Sequence, residues 1–209
     1  GRDGRLADLA RPLALGHVVT AGAVVAAPLT SSYTDLFVAT QSGANRFFRN
    51  RGDGTFDDVG SHFALADLDE HARGAAAGGG GLAWVNWDGP HRLTVLRSSA
   101  FWNRATPAYE MPSAARGVAV ADFDNDGHEE LFVLNDGEPN RLFRLTPELV
   151  RLDAGAATDF PAHTAVVADI DRDGVPELLL AGADGVTVFH ARAGGNWLRI
   201  VPRTRFGAP

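Results

Sequence analysis

The sequence contains no cysteine and no lysine. The first absence removes disulfides, thiolate metal sites and cysteine nucleophiles, and leaves the compartment open, because secreted chains also fold without bridges. The second leaves all 19 basic side chains as arginines, scattered along the chain and outnumbered by 26 acidic residues, for a formal net charge of −7. An acidic chain without a basic patch is not expected to bind nucleic acid. Long apolar runs are missing as well. The most apolar stretch, Leu13 to Leu29, is interrupted by Gly16, His17, Thr20, Gly22 and Pro28, so no membrane span of about 20 apolar residues is expected. No Asn-x-Ser/Thr sequon occurs, and no basic segment leads into an apolar run near Gly1. Any export signal is therefore expected to have been removed or to lie outside the chain.

Catalytic patterns are scarce too. The histidines at 17, 62, 71, 91, 128, 163 and 190 show no i, i+4 metal spacing, and no Gly-x-Ser-x-Gly elbow is present. Zinc-protease and serine-hydrolase chemistry are not expected, and the chain is read as a non-enzyme. A propeller hydrolase or lyase with an unrecognised site is the alternative.

What the sequence does contain is a repeat. Val120-Ala121-Asp122-x-Asp124-x-Asp126-Gly127-x-x-Glu130-Leu131 recurs as Val167-Ala168-Asp169-x-Asp171-x-Asp173-Gly174-x-x-Glu177-Leu178, a shift of 47 residues. Asp35-Leu36-Phe37-Val38 with Asn45-Arg46-Phe47-Phe48-Arg49 matches Glu130-Leu131-Phe132-Val133 with Asn140-Arg141-Leu142-Phe143-Arg144 at a shift of 95. Leu82, Asn86, Pro90 and Arg92-Leu93 match Leu131, Asn135, Pro139 and Arg141-Leu142 at 49. Four units follow, near residues 17–49, 73–97, 116–145 and 163–190. The apolar runs Val118 to Ala121, Leu131 to Leu134, Val166 to Ala168, Leu178 to Leu180 and Val186 to Phe189 are too short for helices and are bounded by Gly and Asp, which favours buried strands. Asp53-Gly54, Asp136-Gly137 and Asp184-Gly185 give the turn signal between strands. With 45% apolar residues in 209, the chain has a sizeable core to bury. An all-β fold of about four β-propeller blades is predicted, one blade per repeat.

The two complete repeats point to a metal. Calcium takes six to eight oxygen ligands, and a short loop supplies them only if alternate side chains converge. In the first loop Asp122, Asp124 and Asp126 are expected to point inward, Gly127 to make the turn, His128 to offer its backbone carbonyl and Glu130 to close the site. In the second, Asp169, Asp171, Asp173, Gly174, Val175 and Glu177 take the same parts. An EF-hand would need flanking helices and a Glu at its twelfth position, where this chain has Val133 and Leu180. The carboxylate stands instead at the ninth position, directly before a strand. A solvated acidic turn is the plainer reading, but unneutralised carboxylates packed this closely repel one another, and the pattern occurs twice in register. The first unit keeps only Asp35 of the loop carboxylates and the second replaces the loop with Gly78 to Gly81, so two calcium ions are expected rather than four.

An Asp-x-Asp-x-Asp-Gly loop in a propeller blade resembles the FG-GAP/VCBS repeat of integrin-α-like propellers. Asn45 to Phe56, Asn86 to Leu93, Ala121 to Asp126 and above all Asn196 to Ala208 resemble the cartilage acidic protein 1 family. The resemblance implies a secreted, calcium-binding protein that acts by binding extracellular or cell-surface proteins. It implies further blades upstream and a UnbV/ASPIC-like region, of which residues 195–209 would be the start. On that reading the chain is part of a propeller.

Two other features compete for attention. Arg51-Gly52-Asp53 spells an integrin-recognition tripeptide, yet it overlaps the turn Gly52-Asp53-Gly54-Thr55-Phe56 and is expected to be structural. Trp84, Trp87, Trp102 and Trp197 are expected in blade-to-blade packing rather than a ligand platform, and Asp67-Leu68-Asp69-Glu70, without a turn glycine, is read as a solvated turn.

Overall fold

The computed structural model of the chain describes residues 20–63, 71–78, 81–86, 92–97, 106–110, 114–145, 149–152 and 155–190. Trp87, Trp102, Trp197, Asp67 to Glu70 and the 195–209 segment lie outside these residues.

Among the described residues, fifteen strands form four antiparallel sheets. The first sheet contains β1 (Ala21–Ala27), β2 (Asp35–Thr40), β3 (Arg46–Asn50) and β4 (Phe56–Asp58) in chain order. The second contains β5 (Ala72–Gly78), β6 (Gly81–Asn86), β7 (Arg92–Arg97) and β8 (Thr106–Glu110). The third holds β9 (Ala115–Ala121), β10 (Glu130–Asn135), β11 (Arg141–Leu145) and β12 (Leu149–Leu152), and the fourth β13 (Thr164–Ala168), β14 (Glu177–Gly182) and β15 (Gly185–Phe189). Each strand pairs with its neighbour in sequence, which is the up-and-down order of a propeller blade. Among the described residues, short 3-10 turns at Gly60–Phe63 and Gly155–Ala157 follow the first and third sheets. Among the described residues no helix is long and apolar enough to cross a membrane.

The sheets stack face to face, and the apolar alternation shows how. Leu82 and Trp84 of β6 pack with Phe37, Ala39 and Phe47 of the first sheet, while Ala83 and Val85 on the opposite face pack with Leu131, Val133 and Phe143 of the third. Phe132 and Leu134 then meet Leu178 and Leu180 of the fourth. A strand covered on both faces has no polar side, so β6 and β10 are buried at every position. Trp84 is wholly buried, its ring 5.1 Å from that of Phe37 at 34°, in the packing role expected for it. The outward faces of the end sheets differ, with Val24 in the first and Val166, Val186 and Val188 in the fourth exposed.

The first strands of the sheets form a continuous row, β1 beside β5, β5 beside β9 and β9 beside β13. This row is the inner edge of the propeller, and it brings the β9–β10 and β13–β14 loops into equivalent places on adjacent blades. The four sheets are thus consistent with propeller blades. The outer strands β4, β8 and β12 lie beyond the repeat units, because the internal sequence matches end before them.

Candidate metal-binding loops

Each Asp-rich loop spans a hairpin that closes on a single rung. Ala121 pairs with Glu130 across β9 and β10, and Ala168 pairs with Glu177 across β13 and β14. Eight residues must therefore leave and re-enter the sheet within one strand spacing. The chain manages this with left-handed residues at Asn125 (φ 55°) and Gly127 (φ 90°), and at Arg172 (φ 66°) and Gly174 (φ 88°). Asn and Gly suit that region, whereas Arg172 occupies it at some cost.

Curled this way, the loop turns its amides onto its own carboxylates. In the first loop Asp122 accepts from the N–H groups of Asp126 (3.0 Å) and Gly127 (2.9 Å), and Asp124 from that of Asp126 (3.2 Å). Asp126 accepts from His128 N–H at 2.9 Å, and Glu130 Oε2 from Phe123 N–H at 3.0 Å. The second loop repeats the pattern 47 residues on: Gly174 N–H to Asp169 (3.2 Å), Asp173 N–H to Asp171 (3.1 Å), Val175 N–H to Asp173 (2.8 Å) and Ile170 N–H to Glu177 Oε2 (2.8 Å). These bonds hold the carboxylate groups close together. Oxygens of Asp122, Asp124 and Glu130 lie within 4.8 Å of one another, as do those of Asp169, Asp171 and Asp173. All these donors are hard oxygens, and a set this compact fits a hard divalent cation such as calcium.

His128 and Val175 stand where the sequence places them, yet their visible contacts are amides donated to Asp126 and Asp173. The His128 ring is exposed, with Nδ1 3.2 Å from Asp126 Oδ1, and the Val175 side chain is buried.

The closing glutamates bring in two residues that the sequence reading did not assign. Arg144 faces Glu130 across β10 and β11, and its guanidinium spans Asp126 (2.9 Å), Asp124 (3.1 Å) and Glu130 Oε1 (3.3 Å). In the fourth blade His190 follows Phe189, the partner of Leu178. Its Nδ1 lies 2.8 Å from Glu177 Oε1 and its Nε2 3.9 Å from Asp173. Burial pushes the Glu130 carboxyl above the ordinary carboxylate range, against the Phe123 N–H and Arg144. Glu177 is held below it by the Ile170 N–H and the His190 ring, and His190 is raised in return by its bond to Glu177. Asp126 is lowered by the His128 N–H and then by Arg144. A linear search for i, i+4 histidines does not find a cross-strand partner such as His190. Arg144 did leave a trace, since it matches Arg49 at the shift of 95.

The first two blades have no such loop. Asp35 takes the place of the closing glutamate and is buried, with Oδ2 accepting from Thr30 N–H and Oγ1, both at 2.7 Å, and Oδ1 from Asn50 N–H at 2.8 Å. Protein donors occupy both of its oxygens. In the second blade Gly78 pairs directly with Gly81, so only two residues connect β5 to β6.

A family model described as "FG-GAP-like repeat" matches residues 122–180, the stretch that holds both loops. Across 90% of its length the chain is 38% identical to human cartilage acidic protein 1 and 36% identical to the mouse protein, and across 97% it is 34% identical to that of Xenopus tropicalis. It spans about a third of the length of these curated relatives, between 32% and 36%. The chain thus carries an FG-GAP-like repeat across its third and fourth sheets and is similar, along nearly its whole length, to about one third of cartilage acidic protein 1.

Proposed function

We propose that the chain is a calcium-stabilised propeller scaffold, secreted, that binds extracellular or cell-surface proteins and has no catalytic role of its own. The observation that carries the calcium reading is the duplicated network in which loop amides orient carboxylates 47 residues apart in the same way. Asp122, Asp124, Asp126, Glu130 and the His128 carbonyl would hold one ion, and Asp169, Asp171, Asp173, Glu177 and the Val175 carbonyl the other. Calcium would draw together the five acidic or carbonyl groups that each loop supplies from nine residues, and would lock each hairpin at the blade's inner edge. The extracellular reading draws on the similarity to cartilage acidic protein 1.

The test is calorimetric titration of chelator-stripped protein with calcium. The expected stoichiometry is two, falling to one in Asp124→Ala and in Asp171→Ala. A stoichiometry of zero, or of four, contradicts the assignment.

Adhesion through Arg51-Gly52-Asp53 is less well supported. Arg51 is ion-paired with Asp57, and Asp53 Oδ1 accepts from the Thr55 N–H (2.9 Å) and hydroxyl (2.6 Å), so both charged groups are already engaged in holding the β3–β4 turn.

A further inference from the structure

We infer that the residue facing the closing glutamate decides which cation each loop takes: Arg144 makes the first loop a weak, oxygen-only calcium site, and His190 makes the second a mixed nitrogen–oxygen site that also accepts zinc(II). The inference rests on the metal reading of the loops given above.

Both glutamates are buried and use one oxygen in the same way. Oε2 accepts a loop amide, from Phe123 in one blade and Ile170 in the other. Oε1 is left to a side chain from outside the loop, and the two blades differ in which one meets it. In the first, Arg144 reaches Oε1 and the carboxylates of Asp124 and Asp126 together. A guanidinium carries a permanent charge and has no lone pair. It satisfies the carboxylates without a metal and repels an incoming cation, so calcium must displace it to gain the same oxygens.

In the second blade the same oxygen meets an imidazole. Ligand atoms of Asp171, Glu177 and His190 lie within 4.8 Å of one another, and both ring nitrogens are turned toward carboxylates, at 2.8 Å from Glu177 and 3.9 Å from Asp173. Imidazole presents a lone pair to a metal, which guanidinium cannot do. One nitrogen with two or three carboxylate oxygens is a donor set that zinc(II) accepts readily, whereas calcium uses the oxygens and gains little from the nitrogen.

The experiment follows each loop separately by the backbone amide signals of Gly127 and Gly174 at one fixed pH, during titration with calcium chloride or zinc chloride. In the wild type, Gly174 should respond to both metals, with zinc acting at micromolar concentration, and Gly127 should respond to calcium alone and at higher concentration. Arg144→Gln should tighten calcium at Gly127 by about tenfold or more, while Arg144→Lys, which keeps the charge, should leave it weak. His190→Gln should abolish the micromolar zinc response of Gly174 and preserve its calcium response. Equal calcium affinities at both loops in wild type and Arg144→Gln overturn the inference but leave the calcium reading standing. So does a zinc response of Gly174 that survives His190→Gln or needs millimolar metal. Silence of both amides toward calcium in every variant overturns the calcium reading, and this inference with it.

Discussion

Gly74 of β5 and Gly117 of β9 touch backbone to backbone: a Cβ placed on Gly74 would lie 2.5 Å from the Gly117 Cα. The two strands belong to adjacent blades, and the inner edge of the propeller is tight here, as it is where Gly22 of β1 meets the Ala72 backbone of β5, also at 2.5 Å. Neither backbone has room to retreat, since both strands are paired within their own sheets. Gly74→Ala should therefore destabilise the protein by about 1–3 kcal/mol through overpacking. Gly137→Ala, where a Cβ meets nothing within 4 Å but φ is 80°, should cost about 1 kcal/mol through backbone conformation alone. Urea midpoints with unchanged m-values would measure both, and Gly74→Ala as mild as Gly137→Ala would mean that the blades are free to move apart.

Removal of metal should loosen the third and fourth blades before the first two. A ligand that binds only the folded state adds RT ln(1 + [L]/Kd), about 2.7 kcal/mol per site at 100 times Kd. Two sites at that saturation would contribute roughly 5 kcal/mol, comparable to the net stability of many domains. A thermal melt should thus shift downward on addition of excess chelator, with hydrogen-exchange protection falling at Leu131 and Leu178 and holding at Phe37, whose sheet has protein donors in place of the metal. Equal loss at all three positions, or none, would count against ions that act locally.

Much of this architecture could be read from the chain because two signals agreed. The shift of 47 residues placed Asp122 and Asp169 on equivalent loops, and the short apolar runs gave strands with two buried faces, as found in β10. Those signals are local, and local readings do not contain register. Arg144 reaches its loop from the third strand of its blade and His190 from just beyond the end of the third strand, 14 and 13 residues past their glutamates, so no spacing rule within the loop identifies them. The fourth strands escaped for a related reason. β12 is largely solvent-facing, and an outer strand with few core contacts keeps little of the repeated apolar pattern.

The Arg51-Gly52-Asp53 turn should behave as structure. Gly52 has φ 83°, and a Cβ there would lie 2.6 Å from the Tyr33 ring, while Arg51 N–H donates to Thr55 O at 3.0 Å to close the loop. Gly52→Val should accordingly lower the unfolding midpoint by strain at a positive φ and by contact with Tyr33. Asp53→Glu should leave cell adhesion unchanged, because the exposed Asp53 carboxylate is tied through Oδ1 to the Thr55 N–H and hydroxyl. Integrin-dependent adhesion that disappears in Asp53→Glu, with the melting temperature intact, would show that the tripeptide is a recognition site after all.

Asn140 joins the third blade to the segment that leads into the fourth, and its loss should be among the costlier polar substitutions. The side chain is 3% exposed. Its Oδ1 accepts from Asn135 N–H at 3.1 Å, and its Nδ2 donates to Ala157 O at 3.0 Å and Phe160 O at 2.9 Å. One amide therefore satisfies a donor at the end of β10 and two carbonyls some 20 residues away in sequence. Asn140→Ala removes all three bonds and leaves buried backbone groups without partners, each worth about 1–3 kcal/mol when unsatisfied, so a total loss of roughly 2–4 kcal/mol is expected once local relaxation and water are allowed for. Asn140→Asp separates shape from hydrogen bonding. It keeps the volume and the acceptor for Asn135, but sets a carboxylate oxygen against the carbonyls of Ala157 and Phe160 where a donor is needed. At neutral pH it should be at least as damaging as Asn140→Ala. Chemical denaturation of the two variants decides the matter: an Asn140→Asp protein as stable as the wild type would mean that the bonds to Ala157 and Phe160 contribute nothing, and that the apolar core around Phe132, Leu134, Leu178 and Leu180, with the backbone bond from Asn140 N–H to Thr158 O, is enough to hold the two blades together.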